Sequence, residues 1–318
     1  MIRLVGVELT RLRWRRAVLV LLLLAVAVPA LIAASRVWAT RPVSESEVAQ
    51  VAHDNAHEIA QCAEHPRRFG LPARAGEQQC TDRIVGWYTG REQLTLAGER
   101  SGGSGMGVVA VLTALLVLAA TTFVGHDWAS GSMSNQLLFE SRRTRIWVAK
   151  AVAVTLVSLV VSAVVSAAYW LTLWAVVRSR DLPLRPGALG DALAYGWRGA
   201  AFATAAALGG YALTMLLRST VATVGVLFGV AVAGGIVIAA VSLGEQWQPQ
   251  KNVSAIVKNG TTYWVEPPAA CNGGVVPDGV DCRPVHDLSL WHGMGYYGVA
   301  LVAAAAASVA SFRRRDVP

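Results

Sequence analysis

Charge is what this sequence has least of. Only 15% of its 318 residues are Asp, Glu, Lys or Arg, where a soluble domain carries about a quarter. The shortage is uneven: several long stretches hold almost none, and the segments between them hold the rest. With 54% hydrophobic residues, this pattern excludes an ordinary soluble domain and gives a membrane protein. Chemistry-bearing motifs are missing too. There is no G-x-x-x-x-G-K-[ST], so the chain holds no nucleotide by a P-loop of its own. Neither G-x-S-x-G nor His-Glu-x-x-His occurs. Cysteine is scarce, four in all, and neither pair has the Cys-x-x-Cys spacing of a metal site.

What is present is apolar length. A bilayer core about 30 Å thick takes about 20 apolar residues as a helix. Six runs meet or nearly meet that length: Ala17–Ser35, Met106–Gly125, Trp147–Val177, Gly199–Leu217, Thr220–Leu243 and Leu290–Phe312. Within them Lys150 is the one charged residue and His292 the one histidine. Backbone groups in lipid pair within their own segment, so helices are expected. The expected class is an all-α integral membrane protein with about six transmembrane helices, a helical first outer loop domain and a smaller, partly extended second outer loop. No acid lies inside the runs, so the usual proton or sodium relay is missing, and no filter sequence or polar ring marks a channel. Gly225 with Gly229, Ala205 with Gly209 and Gly210, and the run Ala303–Ala307 are small faces that let helices approach, mostly within the chain. Arg11, Arg13, Arg15 and Arg16 before Ala17–Val28, with Ala33, Ala34 and Ser35 after it, also resemble a secretory signal peptide. The long basic region argues for a retained span.

Alternation from an inner amino terminus gives an inner segment 1–16, a first span 17–37 and an outer loop 38–105. A second span 106–125, an inner loop 126–146, a third span 147–177 and an outer loop 178–198 come next. The rest is a span 199–217, a span 220–243, an outer loop 244–289, a span 290–312 and an inner tail 313–318. Five arginines in the first sixteen residues, and Arg313, Arg314 and Arg315, then face inward, as the positive-inside rule requires. The segment 178–198, with four arginines, runs against that trend. All four cysteines fall outside, where disulfides persist, so Cys62–Cys80 and Cys271–Cys282 are the expected bridges. Trp38, Trp147, Trp174, Trp197, Trp247 and Trp291 sit near span ends, where indoles settle at headgroup level.

In the first outer loop Ser44–Cys62 reads as a helix. His53 and His57 share a face of it at a spacing that can hold a metal, but a solvated face is the plainer reading and no metal is expected. Gly98–Gly107 reads as a hinge. In the last outer loop Thr261–Val265 reads as a strand after the turn Lys258-Asn259-Gly260, and Pro267, Pro268 and Pro277 interrupt regular structure beyond it.

The segment after the second span is the most specific. It carries Asp127, then Gly131 with Ser132, then Leu137-Leu138-Phe139, then Arg142-Arg143 and Arg145, with Lys150 as the third span begins. That order resembles the coupling-helix loop of ABC-2 type permeases. The basic amphipathic stretch Met1–Arg16 looks like that family's connector helix on the inner surface, and six spans in this order also fit. The family commonly has Glu at Asp127, Thr at Ser132 and a Pro near Glu140 or Ser141, which is absent here. The resemblance implies a multi-pass protein of a bacterial plasma membrane with both termini cytoplasmic. It implies a permease subunit that is not itself an enzyme and binds no cofactor directly, with ATP-Mg on a partner. The partners would be ABC ATPase subunits, a second permease copy or paralogue and membrane lipids, with no nucleic acid. Export of a lipophilic or amphipathic substrate is the implied activity. Asp127, Gly131, Ser132, Leu137, Leu138, Phe139, Arg142, Arg143 and Arg145 would form the docking site. Leu137, Leu138 and Phe139 would be an apolar knob, and the arginines would face the ATPase or anionic headgroups. The alternative is a non-transport membrane sensor or assembly scaffold using its outer domain.

Overall fold

The computed structural model describes residues 1–91, 93–241, 243–273 and 281–314. Pro277, Arg315 and Asp316 lie outside the described residues. The chain opens with a short helix α1 (Ile2–Arg13), which an extended Arg15 separates from α2 (Arg16–Ala39). Four shorter helices come next: α3 (Glu45–Asp54), α4 (Ala56–Glu64), α5 (Glu77–Thr89) and α6 (Leu96–Ser101). Ser44 caps α3 in a reciprocal capping box with Glu47, which satisfies two otherwise orphaned amides. Then come α7 (Ser104–Ala129), α8 (Ser132–Phe139), α9 (Arg143–Ser179), α10 (Ala188–Leu217) and α11 (Thr220–Ala240). Helix α12 (Pro249–Lys258), strands β1 (Thr261–Trp264) and β2 (Val285–Leu288), and α13 (Leu290–Arg314) complete the described chain. Among the described residues six helices, α2, α7, α9, α10, α11 and α13, are long and apolar enough to cross a membrane. The fold is that of an all-α, multi-pass membrane protein.

Helices outrun the apolar stretches that announce them. Backbone pairing within a helix does not stop where hydropathy falls. Helix α10 begins at Ala188, ahead of Gly199, and so takes Asp191 and Arg198 into its first turns. Helix α7 runs past Gly125 to Ala129. Asp127 is therefore a helical residue in the last turn of a helix of spanning length, just beyond the apolar run, which itself holds no acid.

The packed centre is α7, α9 and α10, with α2 against α7 and α9. Water cannot drive helices together in lipid, so close backbone approach must. Helix α10 supplies it. A Cβ at Gly199 would stand 2.5 Å from Val109 Cγ2, and one at Gly196 2.7 Å from Trp170 Cδ1. Gly225 and Gly229 differ: a Cβ on either meets nothing within 4 Å. The expected packing of that face inside the chain is not made, and α11 leaves Val221, Phe228 and Ile236 exposed.

Gly98–Gly107 is not an open hinge. It folds into α6 and the start of α7, and a Cβ at Gly105 would lie 2.7 Å from the Glu99 carbonyl oxygen. Trp147 is buried rather than at a surface, its indole N–H donating to Ser308 Oγ at 3.0 Å. Trp38, Trp197 and Trp291 are exposed. Both bridges form, Cys62–Cys80 and Cys271–Cys282, each with Cα atoms 5.7 Å apart. The first joins α4 to α5 over a small separate core with Ile59 and Ile84. Strand β2 pairs antiparallel with β1, Thr261 opposite Leu288 and Trp264 opposite Val285.

Candidate functional site

Lys150 lies in the second turn of α9, fully buried. An ammonium in an apolar helix cannot stay charged without partners, and two carboxylates reach it. Glu8 Oε2 of α1 is 2.7 Å away and Asp127 Oδ2 of α7 is 2.5 Å away. The other oxygen of Asp127 accepts from Arg11 at 3.0 Å and pairs closely with Arg15. Arg11 also reaches Glu8 at 3.3 Å. The guanidinium of Arg15 and the ammonium of Lys150 each stand 5.2 Å from the centre of the Phe123 ring, a cation–π arrangement strengthened by desolvation. Arg15 donates besides to the Phe123 carbonyl at 3.1 Å. Three cations thus face two carboxylates across α1, the α1–α2 joint, α7 and α9, leaving the cluster with one positive charge in excess.

The network extends into α8. Gly131 takes a left-handed φ of 67°, a conformation that suits glycine, and turns the chain out of α7. Ser132 then opens α8 with its hydroxyl inside the cluster. Arg11 donates to it in a close contact, Gln136 Nε2 donates to it at 3.2 Å, and it donates to Asp127 Oδ1 at 3.3 Å. Met133 is buried beside it. The first turn of α8 is thereby fixed to α1 and α7. Its far end is bare: Leu138 is 82% exposed and Phe139 93%.

The nine residues singled out from sequence divide into three groups. Asp127 and Ser132 join the network, with Gly131 as its turn. Leu138 and Phe139 form an exposed apolar tip, but Leu137 packs back against the core. The knob is therefore two residues rather than three, because α8 turns Leu137 toward the bundle. Two of the arginines, Arg143 and Arg145, engage the chain through their guanidiniums, whereas the exposed Arg142 does so only through its backbone amide. Arg143 donates to the Phe312 carbonyl of α13 at 3.2 Å, Arg145 pairs with Glu140 at 3.6 Å, and the Arg142 amide donates to Glu140 at 3.2 Å. Glu8, Arg11 and Arg15 were not assigned to the site, and Lys150 was marked only as a lone charge at the start of the third span. The signal that finds them is Lys150 itself, a lone charge in an apolar run that must seek an acid among few.

The opposite end of the bundle has its own buried carboxylate. Glu99 of α6 accepts from Arg36 of α2 at 2.8 and 2.6 Å and from the Ser104 amide at 2.8 Å. Ser104 Oγ in turn lies 2.6 Å from Tyr169 Oη of α9. Burial pushes the Glu99 carboxyl up, but the Ser104 hydrogen bonds and Arg36 outweigh it and hold it below the usual glutamate range. Among the described residues no three His, Cys, Asp or Glu gather as a metal site, and His57 instead contacts Gln61 at 3.0 Å. Comparison with protein-family models, with curated proteins and with solved structures finds no match.

Proposed function

We propose that the chain is the permease subunit of an ATP-driven transporter of the ABC-2 type, with ATP and Mg bound and hydrolysed by separate ATPase subunits. The observation that carries the reading is α8: a short helix between two spanning helices, anchored at its first turn by buried ions and presenting Leu138 and Phe139 bare at the other. An apolar tip on a rigid mount is what an ATPase groove would grip and move. Motion at α8 would pass through Ser132, Asp127 and Arg11 to α7, α9 and α1 together, since a satisfied ion network shifts as a unit. With no P-loop in the chain, the energy source belongs to a partner.

In this reading both termini and α8 face the cytoplasm of a bacterial cell. The disulfide-bridged segments lie outside it, where oxidised cysteines persist. A second permease copy or paralogue completes the pathway, and the cargo is lipophilic or amphipathic. A second reading, a sensor or scaffold using the α3–α5 unit, draws on that unit's own disulfide and small core. Purification of the tagged chain from its native membrane separates the two. ATPase activity is expected to co-purify with the wild type and to be lost with Leu138→Asp/Phe139→Asp. Activity retained by the double variant refutes the docking tip; none with the wild type favours the sensor.

A further inference from the structure

Helix α1 has two faces. Glu8 and Leu12 are buried against the bundle, while Val7 and Trp14 on the other side are 54% and 77% exposed. That outer side holds a shallow, open groove bordered by the cations Arg3, Arg11 and Arg15, with Val7 and Trp14 as apolar flanks and Gly6 and Thr10 between them. No acid borders it. Among the described residues Arg3 has no hydrogen bond or ion pair. Glycine inside a helix weakens it relative to alanine, yet a Cβ at Gly6 would meet nothing of this chain within 4 Å. No neighbouring element of the protein accounts for the notch. The apolar run of α2 begins at Ala17, just beyond Arg15, so the groove sits at the level where lipid headgroups lie.

We propose that this groove binds the phosphate headgroup of an anionic phospholipid of the surrounding bilayer. Arg3 supplies a free guanidinium, and Arg11 and Arg15, with side chains 26% and 16% exposed, add positive charge at its border. Val7 and Trp14 lie against the glycerol and first acyl carbons. The surplus cation in the network makes a third anion its electrostatic complement. Arg11 and Arg15 serve both sites, since the guanidiniums that border the groove also hold Asp127. Bilayer charge is thereby felt by the mount of α8. That regulatory consequence rests on the permease reading; the lipid site does not.

The test uses the purified full chain in neutral detergent with no ATPase present, so its outcome is independent of docking. The unfolding temperature is followed during titration with short-chain phosphatidylglycerol or phosphatidylcholine. Phosphatidylglycerol is expected to act at about five-fold lower concentration or better, since one arginine near a phosphate changes affinity by about that factor. Arg3→Gln is expected to remove about five-fold of this preference and leave the phosphatidylcholine response unchanged. Gly6→Leu fills the groove floor and is expected to abolish the preference while the lipid-free unfolding temperature stays at or above wild type. Inorganic phosphate at equal concentration is expected to give no shift. Equal responses to the two lipids overturn the proposal, as does a preference unchanged in Arg3→Gln. A phosphate shift equal to that of phosphatidylglycerol overturns it in favour of a soluble-anion site.

Discussion

The two ends of the bundle each bury a carboxylate, and they solve the problem differently. At one end Glu99 is held by Arg36, Ser104 and Tyr169 in a closed arrangement joining α2, α6, α7 and α9. At the other Asp127 pairs with Lys150, Arg11 and Arg15, the first two of which also reach Glu8, and accepts from Ser132. The first is a one-to-one clamp and carries no surplus charge. The second has a cation in excess, spans two helices that do not cross the membrane, and ends in an exposed tip. Buried ion pairs add little net stability over apolar packing, but removing one partner is expensive. A clamp can be explained as a tie between helices. In the permease reading proposed above, the larger, unbalanced network at the base of a short helix is where force would enter.

The comparison breaks most visibly at Asp127. Asp127→Ala leaves Glu8 as the one carboxylate for three cations, one of them fully buried, and strips Arg15 of its ion pair; it is expected to cost about 3–5 kcal/mol, read as a fall in unfolding temperature. Replacing both members of the central pair, Asp127→Leu with Lys150→Met, is expected to cost less than the sum of the single losses, with coupling of about 0.5–3 kcal/mol. Additive losses would show that the two do not share one network. At the other end Glu99→Gln is expected to cost about 1–3 kcal/mol.

Acid separates the ends further. The Glu99 carboxyl titrates below its ordinary 4.5 in the folded protein. Its contribution is therefore fully present above 4.5 and is lost as pH falls through the lower folded value. Unfolding temperature against pH should decline on that acid limb in the wild type and decline less in Glu99→Gln. The smallest effect belongs to the tip. Leu138→Asp with Phe139→Asp is expected to change stability by no more than about 0.5 kcal/mol, so that loss of the ATPase reports docking alone. A large stability loss would show that the tip is buried in the folded protein and remove it as a docking surface.

Much of the frame was legible in the residues. Six apolar runs predict six spanning helices because bilayer thickness and helical rise fix the length. The two cysteine pairs predict bridges because each pair falls in one connecting segment. Thr261–Val265 reads as a strand by composition, but the partner strand Val285–Leu288 carries a histidine and an aspartate in four residues and gives no such signal. Helix ends were less legible, since hydropathy marks the hydrocarbon and not where hydrogen bonding stops. That is why Asp127 and Arg198 fell in loops by sequence and in helices by structure.

Sequence alone marked a multi-pass membrane protein, about six stretches long and apolar enough to cross the bilayer, and where charge gathers, because these depend on local composition. It marked Lys150 as out of place but could not say which acid answers it. Only the tertiary structure decided that Glu8, 142 positions away, and Asp127 both do, that Leu137 turns in while Leu138 and Phe139 turn out, and that Gly196 and Gly199 rather than Gly225 and Gly229 let helices meet. Those choices depend on which faces are brought together across the bundle, and no local pattern encodes that.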